Sequence, residues 1–384
     1  MDFTFTEEQA MLRDMVRKFA DAEMRPLAEK MDQEERTPPE LIKKMADMGL
    51  LGLPWPEKYG GAGIGEVGYC IAVEEVARAS SSCTVLMGAH TGLASSAIYL
   101  DGSEELKQKY LVPLAQGQNI GCYCLTEAGA GSDAGAIETS ATQDGDEWVL
   151  RGTKLYVTNG GIADIYVIFA ANDRYIGPRG GITAFVVERG TPGLEIGQEE
   201  HKMGIRGSST VEVHLEDVRV PAGNVIGQVG NGFYTAMKAL DVGRLGLGAA
   251  CLGASKETLD LSIKHANERV QFGQPIINHG MVQAMLADMA TEIYAMEGII
   301  YRSAWMMDQG MKFSREAGIA KLFCSEALDR IVDRGMQIHG GMGYMREMPL
   351  ERFYRDARIN RIFEGTNEIQ RIVIARDLAK KGSY

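Results

Sequence analysis

Between residues 120 and 221 the chain changes texture, and that change limits the fold more than any other feature of the sequence. Short β-branched or aromatic runs at 148–150, 155–157, 165–169, 182–187 and 211–215 sit between Gly, Asn and Asp breaks, and Asp144-Gly145 is a hairpin signal. Runs of that length, with no helical pattern between them, predict an antiparallel β domain. The flanks follow a different period. Thr6 and Gln9 form a capping-box pair, after which Leu12, Met15, Val16 and Phe19 recur at helical spacing until Pro26. Leu41, Ile42, Met45 and Met48 make a second amphipathic run, and helical patterning resumes over 73–114 beyond a Gly- and Pro-rich loop at 54–65. After Gly232, Ile293, Met296 and Ile300, then Ile319, Leu322 and Phe323, mark long helices. The chain is therefore expected to be α+β, mainly α. The expected domains are 1–119 (N-terminal helical), 120–228 (middle antiparallel β) and 229–384 (C-terminal helical).

A chain of 384 residues, 45% of them hydrophobic, can bury a core for two or three such domains. Its net charge of −12 disfavours nucleic acid or an anionic membrane surface as the main partner. Cys70, Cys83, Cys122, Cys124, Cys251 and Cys324 are scattered without a CxxC pair, so neither a zinc site nor a disulfide framework is expected, and a reducing compartment fits. The histidines show no HxH or HxxxH spacing, and no metal is expected. The opening MDFTFTEEQA resembles neither a secretory leader nor a transit peptide, and no uninterrupted apolar run approaches the ~20 residues of a membrane span. The expectation is a soluble bacterial cytoplasmic protein, although a trimmed mitochondrial matrix chain would look the same.

Four stretches are candidates for chemistry. Gly63, Gly65 and Gly68 match GxGxxG, but a dinucleotide fingerprint needs a strand before it and a crossover helix after it. Here a loop precedes it, so a turn is the better reading. The stretch 121–133, Gly-Cys-Tyr-Cys-Leu-Thr-Glu-Ala-Gly-Ala-Gly-Ser-Asp, runs from an apolar segment into a turn dense in glycine and hydroxyls. It is either an ordinary turn or a holder of phosphate or heterocycle. Lys154–Gly161 repeats the pattern of an apolar strand ending in a hydroxyl and glycines. Finally, Gln337-Ile-His-Gly340-Gly341 leads through Arg355-Asp356-Ala-Arg358 to Ile362-Phe363-Glu364-Gly365-Thr366. The apolar neighbours of Glu364 would raise its pKa and suit it to take a proton from carbon.

Together these segments resemble the acyl-CoA dehydrogenases, and within them the short-chain, butyryl-type members. LTEAGAGSD and QIHGGMGY…RDARI…FEGTNEIQR look like two signature regions of that family in the right order and separation, and the resemblance covers essentially the whole chain. It implies an N-terminal helical domain, a middle β domain and a C-terminal four-helix bundle, assembled as a homotetramer (a dimer of dimers) with FAD at a subunit interface. It implies that Glu364 removes the α-proton of a saturated acyl-CoA while the β-hydrogen leaves as hydride to the flavin, giving a trans-2-enoyl-CoA. An electron-transfer flavoprotein is the implied acceptor. Tyr123, Leu125, Thr126, Tyr156 and Thr158 match flavin-side positions, and Gly131 and Ser132 match the pyrophosphate turn. Arg269, Gln271 and Phe272, with Gln337, Gly340 and Gly341, match a loop and helix end that reach a neighbouring subunit's FAD. Thr366 and Glu368 match positions beside the adenosine. Ser132, Phe233, Asp241, Arg244, Thr91, Phe363 and Gly365 match the path of the substrate.

One departure is Gly280, where the family usually has a glutamine on the adenine side. Gly243 occupies the place where some members carry the base, so Glu364 has no competitor. Residues 79–102 contain no Arg or Lys, which argues against a dicarboxyl substrate. In the pocket-lining stretch 88–97, Ala94 and Ala97 are expected to leave room for a short or medium chain, a branch or an alicyclic ring. Two rivals remain at this stage: an acyl-CoA oxidase reoxidised by O₂, and a non-catalytic scaffold that binds flavin or CoA.

Overall fold

The computed structural model describes residues 4–382. Helix α1 (Glu7–Phe19) begins at the predicted capping box: Gln9 N–H donates to Thr6 Oγ1 at 3.2 Å and Thr6 N–H donates to Gln9 Oε1 at 3.1 Å. Helices α2 (Ala28–Glu34), α3 (Pro39–Asp47), α4 (Gly65–Ala77) and α5 (Ser81–Asp101) follow. Over Gly88–Ser95, α5 widens to π-type turns, a distortion frequent at functional sites. Helix α5 is also the one described helix long and apolar enough to cross a membrane, but 72% of its apolar window is buried inside the protein. It is a core helix, and the Gly, Ser, Thr and His in its sequence kept it from standing out as one apolar run.

The GxGxxG stretch is a helix start without a preceding strand. The first amides of α4 are already taken: Glu66 and Val67 N–H donate to Asp308 Oδ1 and Oδ2 at 2.6 and 3.1 Å. A carboxylate thus fills the position where a phosphate would bind.

The middle region is one eight-stranded sheet. Its strands are β1 (Gly121–Cys124), β2 (Ser140–Asp144), β3 (Glu147–Thr158), β4 (Ile165–Ala171), β5 (Ile182–Glu188), β6 (Leu194–Glu199), β7 (Thr210–Pro221) and β8 (Val225–Ile226), in the order β6-β7-β3-β2-β4-β5-β8 with β1 on β4. Strands β1, β2, β6 and β8 lie outside the runs read from the sequence, and two further details differ. The runs at 148–150 and 155–157 belong to one strand, β3, whose register against β7 shifts at two points. Gly152 at φ +148° and Tyr156 at φ +55° break the alternation there and make one strand look like two. Nor is the sheet wholly antiparallel, because β1 runs parallel to β4. Asp164, just before β4, accepts the Ile120 N–H at 2.8 Å, and the Ile165 N–H reaches the Ile120 carbonyl at 3.0 Å, so the two strands start side by side.

Strand β4 is buried along its whole length, because both faces are covered. Ile165, Val167 and Phe169 pack with Ala94, Ala97 and Ile98 of α5, whereas Tyr166, Ile168 and Ala170 pack with Trp148, Leu150 and Val213. The sheet is pinned by its centre to the helices.

Beyond it run α6 (Gly232–Glu268), α7 (Gly280–Asp308), α8 (Ser314–His339), α9 (Leu350–Ala357) and α10 (Asn367–Lys381). Helices α6, α7 and α8 pack against one another, and α10 lies on α8. One apolar core joins Val16 of α1 and Val73 of α4 to Leu252 of α6, Met296 of α7 and Leu328 of α8, so the two helical blocks are held as one mass.

Candidate active site

A cavity of about 630 Å³ opens where the ends of β1 and β3 meet α4, α5, α6 and the loop before α10. Its helical wall carries Tyr69 and Val73 of α4, Gly88, Ala89 and Leu93 of α5, and Arg244, Leu247 and Ala250 of α6. Its sheet wall carries Tyr123, Leu125, Thr126, Gly131, Ser132, Tyr156 and Thr158. Phe363, Glu364, Gly365 and Thr366 close it.

Glu364 has left-handed backbone geometry, φ +54°, followed by Gly365 at φ +88°. A glutamate held there costs about 1–3 kcal/mol, so the surroundings must fix it. They do so through its own carbonyl, which accepts from Arg244 Nε at 3.2 Å and Gln370 Nε2 at 3.3 Å, while Gln370 also donates to the Gly365 carbonyl at 3.1 Å. Arg244 is itself held by Asp241 at 2.8 Å. Among the described residues the Glu364 amide finds no acceptor.

The Glu364 Oε2 atom is shielded from solvent and has no hydrogen-bond partner among the described residues. A Cβ at Gly243 would come within 2.7 Å of that oxygen and of Leu93 Cδ2, so glycine at 243 is what makes room for the carboxylate. Burial pushes the Glu364 carboxyl up to about 7, against the opposing pull of the Arg244 and Lys321 charges. A carboxylate so placed can exchange a proton near neutrality.

On the opposite wall, the turn after β1 is rigid for a different reason. Lys154 is fully buried and pairs with Glu127 at 2.6 Å, and Glu127 also accepts the amides of Glu138 and Thr139 at 2.6 and 3.0 Å. Glu127 satisfies the turn from behind, and among the described residues the Thr126, Ser132 and Thr158 hydroxyls on the cavity side have no side-chain partner. Tyr123 donates to the Ala236 carbonyl at 3.2 Å, which ties this wall to α6.

The N-terminal, C-terminal and middle domain models of acyl-CoA dehydrogenases match residues 6–118, 230–379 and 122–218. The chain belongs to the acyl-CoA dehydrogenase family. Among similar proteins is an acryloyl-CoA reductase (NADH) of Anaerotignum propionicum, 45% identical over 99% of this chain and 97% of its own. A short-chain specific acyl-CoA dehydrogenase of Clostridium acetobutylicum is 44% identical over 98% of this chain and 99% of its own. The solved butyryl-CoA dehydrogenase of Megasphaera elsdenii superposes with a TM-score of 0.97 at 39% identity, covering 99% of this chain and 100% of that one.

FAD is the cofactor of this acyl-CoA dehydrogenase fold, and the residues present fit it. Free hydroxyls and an open glycine turn, where a Cβ at Gly129 or Gly131 would meet nothing within 4 Å, face an apolar floor that includes Leu125 and Leu155. That donor set suits a flat heterocycle with a phosphate tail.

Not every residue singled out from the sequence reaches the cavity. Thr91 is buried and donates to the Leu51 carbonyl at 2.9 Å, away from the lining, and Phe233 packs beneath the sheet-side core. Asp241 acts behind Arg244, and Glu368 is exposed on the first turn of α10, which Thr366 caps. Arg269, Gln271 and Phe272 lie on an exposed hairpin where Phe272 is 96% exposed, and Gln337, Gly340 and Gly341 are exposed at the end of α8. Ala94 and Ala97 do not make room in the pocket. Both are buried against the sheet, and the small residues on the lining are Gly88 and Ala89 instead.

Sequence reasoning missed Tyr69, Leu247, Ala250, Gln370 and Lys321. A signal existed for part of this set. Gly243, Gly246 and Gly248 fall within two turns of α6, and glycine costs about 1 kcal/mol relative to alanine inside a helix. Such a cluster announces a close approach: a Cβ at Gly246 would lie 3.1 Å from the Tyr69 ring, and one at Gly248 would strike Ile300 at 2.2 Å.

Proposed function

We propose that Glu364 is the general base of an α,β-dehydrogenation, taking the α-proton of a saturated short- or medium-chain acyl-CoA so that a trans-2-enoyl-CoA results. The chain is an FAD-dependent oxidoreductase acting on a CH–CH bond, as its family membership and relatives establish. The observation that carries the assignment is the unpartnered, shielded Glu364 carboxyl oxygen on the wall of the cavity, in a carboxyl raised to about 7.

The step by the chain's own residues follows from the site. The Glu364 N–H, without an acceptor among the described residues, is available to donate to the thioester carbonyl and stabilise the enolate that forms as the α-proton leaves. Arg244 and Gln370 hold the Glu364 carbonyl, so the amide and the carboxylate are fixed together. Apolar Leu93, Leu247 and Phe363 keep water from the reacting carbon. FAD, when bound, supplies the acceptor for the β-hydride. The small lining residues Gly88, Ala89 and Ala250 support an acyl group of short to medium length, with space for a branch or ring. The absence of Arg and Lys from 79–102 disfavours a second carboxylate.

The exposed hairpin at 270–275 and the end of α8 are the parts of the site this chain does not complete alone. They support a homotetramer in which Arg269, Gln271, Phe272, Gln337, Gly340 and Gly341 reach the FAD of another copy. An electron-transfer flavoprotein is the proposed acceptor, since a structure of such a protein from Acidaminococcus fermentans includes a chain that matches this one with a TM-score of 0.97. Six buried free thiols support a reducing, cytoplasmic setting.

Replacing Glu364 by Gln tests the reading. The variant is expected to keep bound yellow flavin and to lose about 10²–10⁴-fold in turnover. Near-normal turnover would remove Glu364 from the reaction.

A further inference from the structure

Beneath the loop that carries Glu364 lies a cation that the reaction described above does not use. Lys321 of α8 is 0% exposed. Among the described residues its one hydrogen bond runs from Nζ to Asn367 Oδ1 at 2.7 Å, and no carboxylate pairs with it. Asn367 opens α10, three residues after Glu364, and is fully engaged. Its Oδ1 also accepts from Ser325 at 3.2 Å, and its Nδ2 donates to Ser325 and Glu326 at 3.0 and 3.3 Å.

A buried ammonium held only by a neutral amide is costly, and an apolar side chain of the same length would pack as well. Three carboxylates near the loop are claimed by arginines: Asp241 by Arg244 at 2.8 Å, Glu326 by Arg371 at 2.7 Å and Asp329 by Arg361 at 3.1 Å. The remaining groups that bear on Lys321 and Glu364 are Cys251 and Arg244 of α6, Tyr69 of α4, Tyr123 of β1 and the exposed Glu368 of α10. None of them pairs with Lys321, and of the charges that act on it Glu364's is the largest.

We propose that Lys321 is a positioning residue that acts through Glu364: its buried charge favours the carboxylate form of the base, while its bond to Asn367 anchors the loop that presents it. The proposal rests on Glu364 being the base. Lys321 is itself pushed down to about 8 by burial, with Glu364 among the charges that oppose the shift, so it carries its proton over the range in which Glu364 gains and loses its own. Without that charge, burial acts on Glu364 with only Arg244 to oppose it, and the carboxyl moves higher.

The test compares Lys321→Gln, which keeps a donor to Asn367 but no charge, with Lys321→Met and with Glu364→Gln, all as FAD-loaded protein. The acid limb of the kcat/KM profile should move up by about one pH unit in Lys321→Gln. That is a roughly tenfold loss near pH 6 that has largely closed by about pH 9. In parallel, the infrared band of the protonated Glu364 carboxyl, identified by its absence in Glu364→Gln, should persist to higher pH. Should Lys321→Met fail to fold, Lys321→Gln alone decides. An unmoved profile and an unmoved infrared band in Lys321→Gln, with Glu364→Gln inactive, would overturn the role of Lys321 and leave the base assignment standing. An active Glu364→Gln would overturn both.

Discussion

The loop around Glu364 and the hairpin around Phe272 come from equally distinctive stretches of sequence, yet the fold treats them in opposite ways. The Glu364 loop is completed inside one chain: Arg244, Gln370, Asn367 and Lys321 reach it from three helices, and its carboxyl oxygen is shut off from solvent. The hairpin Val270–Gln271 and Gln274–Pro275 is two residues wide on each side and held by little more than its own ladder and a bond from His279 to the Gln271 carbonyl at 3.2 Å. It presents Phe272, at φ +51°, to solvent. Left-handed backbone at a large aromatic has a cost, and a partner that covers Phe272 would offset it. The proposed base is thus positioned by residues of its own chain, and the proposed role of the hairpin needs a second copy.

Four changes should separate these regions. The largest effect is expected from Gly243→Val, because even a Cβ there would come within 2.7 Å of Glu364 Oε2. Turnover should fall by about 10²–10⁴-fold, as for loss of the base, with flavin retained. Normal turnover would mean that the carboxylate need not occupy its observed place.

Next, Phe272→Ala with Arg269→Ala should leave the secondary structure of the chain intact by circular dichroism but weaken FAD retention about 30-fold, the size of an interface hot spot. The same variant should dissociate more readily in sedimentation. Unchanged retention and assembly would show that the hairpin serves neither. A smaller effect comes from acid. With the Glu364 carboxyl raised to about 7, the free enzyme holds its base protonated below that value, so kcat/KM should drop about tenfold between pH 8 and pH 6. The hairpin variant, once saturated with FAD, should keep that profile. Smallest of all is Thr91→Val, whose hydroxyl serves the Leu51 carbonyl. It should cost about 1 kcal/mol in stability and leave kcat/KM within about threefold.

Legibility in the sequence follows the same division. The capping box at Thr6, the helix-β-helix order and the strands at 165–169 and 182–187 were readable because their periodicity is local. The continuity of β3 was not, since Gly152 and Tyr156 carry the backbone through conformations that look like strand ends. Glu364 could be picked out from its apolar neighbours, and the glycines and hydroxyls of 126–132 from their density. Lys321 and Tyr69 could not, because each joins the site by a contact between segments dozens to hundreds of residues apart, and Gln370, only six residues from Glu364, was hidden because its side chain folds back from the first turn of α10 onto the loop carbonyls. The misreading of Ala94 and Ala97 has a physical origin too. Within π-widened turns the usual 3.6-residue spacing no longer tells which side chains share a face, so Gly88 and Ala89 line the cavity while Ala94 and Ala97 meet the sheet.

Anaerobic mixing of FAD-loaded protein with saturated acyl-CoAs of increasing chain length, followed by bleaching of the flavin, probes the central claim most directly. The wild-type chain should bleach on mixing with its preferred acyl-CoA, whereas Glu364→Gln, equally yellow at the start, should bleach about 10²–10⁴-fold more slowly. Bleaching of the variant at the wild-type rate would contradict the claim that this carboxylate takes the proton.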